Sequence, residues 1–219
     1  MVSGSGGKAR VAVLASGTGT NLAALLRDAE TPDAPYAVAL VLGNRQDAGA
    51  LHKGRGAGVP TVAVERTSWG SRAAQQAEML RLLQEHEVDL VVLAGFDQIL
   101  SVDIVDAFPD RIVNIHPSLL PAFAGSLHAI AEALAYGVKV TGCTVHLVTA
   151  DLDAGPIILQ EATPVRDDDT LETLSARIHA LEHLTLPRAV RLLATRRVKI
   201  DGRHVLLLAA PSPSAAAGP

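Results

Sequence analysis

Cysteine is nearly absent from this chain. Cys143 is the only one in 219 residues, so no intramolecular disulfide can form, and a reducing cytoplasm is the expected setting. Its surroundings, Thr141-Gly142-Cys143-Thr144-Val145, read as a strand, which predicts a buried, inert thiol rather than a nucleophile. No apolar run approaches membrane-spanning length, and Val11–Ala15 is too short for the core of a secretion signal. Lys and Arg form no stripe and the net charge is −4, which argues against nucleic acid as the main partner. The histidines and carboxylates fall into no metal-ligand spacing, so no metal is expected. Internal repeats and a domain linker are lacking as well.

What is present is enough apolar sequence, 48%, to build a sizeable core. The length suits a single α/β domain over residues 8–209. Residues 1–7 are Gly/Ser-rich and 210–219 Pro/Ala/Ser-rich, and both are expected to be disordered tails. Strand-like runs at Arg10–Leu14, Tyr36–Leu42, Thr61–Val64, Asp89–Leu93 and Ile112–Ile115 alternate with helical stretches near Asn21–Glu30, Gly49–Ala57, Ser71–Glu87 and Val102–Ala107. That alternation predicts a Rossmann-like, mostly parallel sheet flanked by helices. The second half changes character. Val140–Val148 and Ile157–Val165, joined by the turn Asp151–Pro156, predict an antiparallel pair. Asp169 with Glu172 reads as the cap of a helix that Pro187 should kink or end, and Asp201-Gly202 as the turn of a closing hairpin.

Three places could carry chemistry. In Asn114-Ile115-His116-Pro117, alternation puts Asn114 and His116 on one face of a strand that Pro117 must terminate. An amide that can donate to a developing oxyanion would then stand beside an imidazole that can move a proton. The same pair could equally just end a strand through backbone hydrogen bonds. Ser16-Gly17-Thr18-Gly19-Thr20-Asn21 follows the first strand and opens a helix, where free N–H groups and the helix dipole favour an anion. The loop lacks the third glycine of a dinucleotide fingerprint, since Leu22 stands there, and the Gly-Lys-Ser/Thr of a P-loop. A single phosphate monoester fits better. Asp151 and Asp153 lie in the predicted turn, but sequence alone pairs neither with His116, and turn formation accounts for both. His179 and Glu182 share a helix face, solvated by default, while His128 and His146 carry no partner signal and read as structural.

Together, Ser16–Leu22, Val91–Phe96, Asn114–Pro121 and Leu152–Ile158 make the chain resemble the phosphoribosylglycinamide formyltransferase family within the folate-dependent formyltransferases. The segments keep the family's order and nearly its spacing. The resemblance implies small-molecule substrates, with a formyl group passing from 10-formyltetrahydrofolate, as cosubstrate, to the amine of glycinamide ribonucleotide. It assigns Asn114 to the oxyanion, His116, protonated, to charge stabilisation and proton transfer, and Asp153 to orienting that histidine and raising its pKa. It assigns Gly19, Thr20, Asn21 and Glu182 to the ribonucleotide, and Arg72, Asp97, Gln98, Ile99, Leu100 and Asn114 to the folate. A homodimer is the one assembly carried forward. Two departures stand out. Asp97-Gln98 replace the family's usual Met-Arg or Met-Lys, so an acidic side chain either weakens folate binding or points to solvent. Phe123–His128 loses the proline of the family's Pro-Gly and gains a residue in the loop over the active site. The alternatives are a 10-formyltetrahydrofolate deformylase, or a folate- or nucleotide-binding protein of the same fold with weak turnover. A relative with a C-terminal tRNA-binding domain is disfavoured by length.

Overall fold

The computed structural model describes residues 7–209, so the predicted tails lie almost wholly outside the described residues. In chain order the elements are β1 (Ala9–Ala15), α1 (Thr20–Ala29), β2 (Tyr36–Gly43), α2 (Gly49–Gly56), β3 (Thr61–Ala63) and α3 (Arg66–Trp69). There follow α4 (Arg72–Glu85), β4 (Leu90–Leu93), α5 (Val102–Ala107), β5 (Ile112–His116) and α6 (Ala129–Tyr136). The chain continues through β6 (Val140–Leu147), β7 (Ile157–Pro164), α7 (Leu171–Ala194), β8 (Val198–Asp201) and β9 (His204–Leu207). One sheet takes the order β3-β2-β1-β4-β5-β6-β7, with a separate β8–β9 hairpin. Neighbours from β3 through β5 are parallel, while β6 and β7 run antiparallel.

Strand β1 shows why this sequence forms a two-sided core. Val11, Val13 and Ala15 pack with Leu22, Leu25, Leu51, Leu186 and Val190 on one face. Ala12 and Leu14, one residue out of step, pack with Met79, Leu83, Ile104 and Phe108 on the other. A strand covered on both faces must be apolar throughout, which is how β1 reads. Each fully buried Leu or Val contributes roughly 1.5–3 kcal/mol.

The structure corrects three local expectations. The cap of α7 is Thr170, whose side chain accepts from the Thr173 N–H in a reciprocal capping box. Asp169 instead accepts from the Arg166 N–H at 2.8 Å and the Arg177 guanidinium. Helix α7 also does not end at Pro187 but runs on to Ala194. Pro187 forfeits one helical hydrogen bond, yet Leu186, Ala189 and Val190 around it are fully buried, and their burial offsets that loss. In the closing hairpin Asp201 pairs with His204, so the turn residues are Gly202 and Arg203, with Gly202 at φ +59°. Helix α6 has no counterpart among the expected elements.

The topology sets up the site. The chain leaves β1 towards β2 and β3, then crosses back to β4 on the other side of β1. Loops that follow β1 and β4 therefore diverge, opening a crevice at their carboxyl ends.

Candidate active site

Strand β5 stops at His116, as the following proline requires, and delivers Asn114 and His116 to the same face. Pairing with β6 sets Asn114 opposite His146, and Asp153 comes from the β6–β7 turn. Asp153 adopts φ +51°, a conformation Asp tolerates better than most residues. Gly155, just beyond, lies so close to β6 that a Cβ would fall 1.8 Å from the Leu147 carbonyl oxygen. The turn thus folds tightly against β6 and carries the Asp153 carboxylate inward.

That carboxylate joins four groups. Its Oδ2 accepts from the Gly125 N–H at 2.7 Å and lies 3.4 Å from His116 Nδ1. Its Oδ1 lies 3.4 Å from Asn114 Nδ2 and 3.5 Å from His146 Nε2. Burial pushes the Asp153 carboxyl up, but the adjacent His146 and His116 rings and the Gly125 N–H outweigh it and hold it below the usual value. His116 behaves contrary to expectation. Burial pushes its imidazole below 6.5, and the opposing pull of Asp153 and the Phe123 carbonyl does not reverse this. Burial therefore favours the neutral ring of His116 in the free protein. Both ring nitrogens nonetheless face acceptors, Asp153 and the Phe123 carbonyl, the latter 3.0 Å from Nε2. A second proton would gain a hydrogen bond wherever it landed, so this is an imidazole placed to take one up.

His146, expected to be structural, belongs to the site. Its Nδ1 donates to the Leu147 carbonyl at 2.9 Å, leaving Nε2 to accept from Asn114 Nδ2 at 3.1 Å. This bond orients the amide plane, while the second Asn114 N–H is held only loosely by Asp153. The signal was available: His146 shares a strand face with Thr144 and is directly cross-strand from Asn114, but only if the β5–β6 register is known.

Asn114, His116, His146 and Asp153 line one cavity of about 700 Å³, within the usual range for small-molecule sites. Asp97, Gln98, Ile99 and Leu100 form another wall of it. Arg72 does not line the cavity; its Nη2 donates to the Ile99 carbonyl at 2.6 Å and so supports that wall from behind. The Phe123–His128 loop forms a lip. Phe123, at φ +57°, is held by an edge-on contact with Tyr136, ring centroids 6.3 Å apart. Cys143 is buried and its thiol is pushed up to about 11, as an inert strand cysteine should be.

The residues expected at a phosphate and ribose form a second group beside the crevice. Gly19 caps α1 at φ +74°, where a Cβ would meet Ala50 Cα at 2.6 Å, so the close approach of α2 and the left-handed backbone both demand glycine. Thr20 is exposed at the helix start, and the first-turn N–H groups have no helical acceptor. Asn21 is buried and donates from Nδ2 to Glu182 Oε2 at 2.9 Å. The Asn21 Oδ1 has no partner among the described residues. His179, by contrast, is exposed on α7.

Burial raises the Glu182 carboxyl to about 7, with the Asn21 bond opposing. A carboxyl whose folded pKa exceeds its unfolded one stabilises the fold fully below the unfolded value, and that contribution is lost as pH rises through 7. At about 1.4 kcal/mol per unit, wild type should lose up to roughly 3 kcal/mol of stability between pH 5 and pH 8 on this account. Glu182→Gln should flatten most of that slope in urea unfolding; an unchanged slope would show that Glu182 does not titrate there.

Comparison with known proteins agrees with this architecture. The formyl transferase family profile matches residues 9–190. The chain belongs to the formyl transferase family. It is 47% identical over 195 residues to phosphoribosylglycinamide formyltransferase of Mycobacterium tuberculosis, covering 89% of each chain. A crystal structure of glycinamide ribonucleotide transformylase 1 from Symbiobacterium toebii superposes with a TM-score of 0.90 at 48% identity, covering 94% of this chain and 96% of that one. The chain is also 45% identical over 193 residues to the chicken (Gallus gallus) trifunctional purine biosynthetic protein adenosine-3, matching 88% of its own length but spanning only 19% of that protein.

Proposed function

We propose that this chain transfers the formyl group of 10-formyltetrahydrofolate to the amine of glycinamide ribonucleotide. The observation that carries this reading is the meeting of Asn114, His116 and Asp153 in one wall of a preformed cavity beside the loop that opens α1. The cavity suits a flat heteroaromatic head group: Leu93, Ile99, Leu100 and Val102 supply apolar surface, and the Gln98 Oε1 is a buried acceptor without a partner among the described residues. Bound there, the folate supplies an electrophilic formyl carbon. Asn114, oriented by His146, offers its loosely held N–H to the oxygen that gains charge. His116, neutral beforehand, accepts the proton that the attacking amine must lose; the substrate takes the place of the Phe123 carbonyl at Nε2. Asp153 stabilises the imidazolium so formed. Gly19, Thr20 and Asn21 hold the ribonucleotide phosphate with backbone N–H groups, and Glu182 receives ribose hydroxyls.

The assay is consumption of 10-formyltetrahydrofolate by purified protein, with and without glycinamide ribonucleotide. Consumption that requires the ribonucleotide and yields its formylated product supports the transformylase. Consumption without it would make the protein a deformylase, and none in either case would favour a binding protein. The reaction needs only small molecules and suits the cytoplasm, where a lone thiol stays reduced. Association into a homodimer is a separate expectation, read by sedimentation at micromolar concentration.

A further inference from the structure

Asp97 neither points freely to solvent nor reaches only into the cavity. Its carboxylate accepts from Ser16 Oγ at 2.8 Å and Asn44 Nδ2 at 2.6 Å, and forms an ion pair with Arg45. Its own N–H donates back to Ser16 Oγ at 3.0 Å, and the Ser16 N–H donates to the Gly95 carbonyl at 3.0 Å. Three strand ends are thereby tied together: β1 through Ser16, β2 through Asn44 and Arg45, and β4 through Gly95 and Asp97. The tie crosses the switch point of the sheet. On one side, Ser16 begins the loop that ends in Gly19, Thr20 and Asn21. On the other, Asp97 begins the cavity wall, whose far end is held by Arg72 and Gln76 through the Ile99 carbonyl.

We propose that Asp97 is a positioning residue that couples the two substrate subsites, so that occupancy of one favours occupancy of the other. This rests on the functional reading above. Ser16 is buried, and its hydroxyl both donates to the Asp97 carboxylate and accepts from the Asp97 N–H, so the β1–α1 loop and the cavity wall share one anchor. Ordering either segment on a ligand orders part of the other in advance, which is positive cooperativity without a large shape change. The ion pair with Arg45 itself adds little to folding. The Arg45 and Asp97 side chains are 56% and 29% exposed, and pairs of that exposure add at most about 1 kcal/mol to stability.

The test is calorimetric titration of tetrahydrofolate, the folate product, with and without saturating glycinamide ribonucleotide, on wild type, Asp97→Ala and Asp97→Asn. In wild type the ribonucleotide should tighten tetrahydrofolate binding at least about fivefold, the lower end of measured couplings. Asp97→Ala should bring that factor close to one and raise KM for both substrates more than it lowers kcat. Asp97→Asn keeps an acceptor for Ser16 and should retain part of the coupling. Full coupling in Asp97→Ala, or none in wild type that binds both ligands, would overturn the proposal. A wild type that binds neither ligand would remove the functional reading, and the coupling with it. Far-ultraviolet circular dichroism of both variants should match wild type, and Asp97→Asn, which keeps an acceptor, should hold its urea midpoint closer to wild type than Asp97→Ala, separating lost coupling from lost fold.

Discussion

Asp153→Asn is expected to lower kcat by about a hundred- to ten-thousandfold, the usual range when a positioned proton-transfer group is disabled. Two consequences of the substitution combine. Asparagine removes the charge that stabilises His116 once it has accepted a proton, and it leaves the burial of His116 opposed chiefly by the Phe123 carbonyl. The His116 pKa, already below 6.5, should therefore fall further. Because activity on this reading needs His116 neutral at the outset, the acidic limb of the pH–rate profile should move to lower pH even as the plateau drops. A variant with merely damaged packing would lower the plateau and leave the limb in place. The fold should persist, since an amide oxygen can still accept the Gly125 N–H, and a buried hydrogen-bond change of this kind costs about 1–2 kcal/mol. Single-turnover rates from pH 5 to 8 read both effects together. Turnover near that of wild type would remove Asp153 from the mechanism.

Asn114→Ala should cost about a hundred- to a thousandfold in kcat, the magnitude seen when one donor to a developing oxyanion is removed. The loss should appear equally in kcat and in kcat/KM for the ribonucleotide, because the interaction forms only in the transition state. KM for the ribonucleotide should change little: the residues proposed to hold it sit on α1 and α7, away from β5. Asn114→Asp is the sharper test. It preserves size but sets a carboxylate where charge develops, and it places two acidic groups against His146, so it should be worse than alanine. If alanine raises KM and spares kcat, Asn114 serves binding and the oxyanion is held elsewhere.

How much of this was legible beforehand varies with the range of the interaction concerned. The alternation of strand-like runs with helical stretches through the first half announced a parallel sheet, because parallel neighbours need a helix to cross between them. Pro117 announced the end of β5 because a proline cannot continue the ladder. Gly19 was legible as part of a helix-opening loop, though the reason it must be glycine, the approach of Ala50, was not. Misreadings occurred where two local signals competed. Asp169 and Thr170 are both good caps, and Asp169 was drawn away by Arg177, eight positions on, which neither residue's neighbours reveal. Pro187 is a helix breaker by local rules, overruled by apolar residues around it that pack elsewhere in the fold.

The sequence by itself determined the class of fold, the shared face of Asn114 and His116 at the end of β5 and the helix-opening place of Ser16–Asn21, because period, proline and glycine act over a few residues. Only the tertiary structure decided which groups work together. The β5–β6 register brought His146 to Asn114, and the β6–β7 turn brought Asp153 to His116. The crossing from β3 back to β4 set Asp97 against Ser16, Asn44 and Arg45. The protonation of His116 was decided there as well. The burial that outweighs the pull of Asp153 is a property of everything packed around the ring.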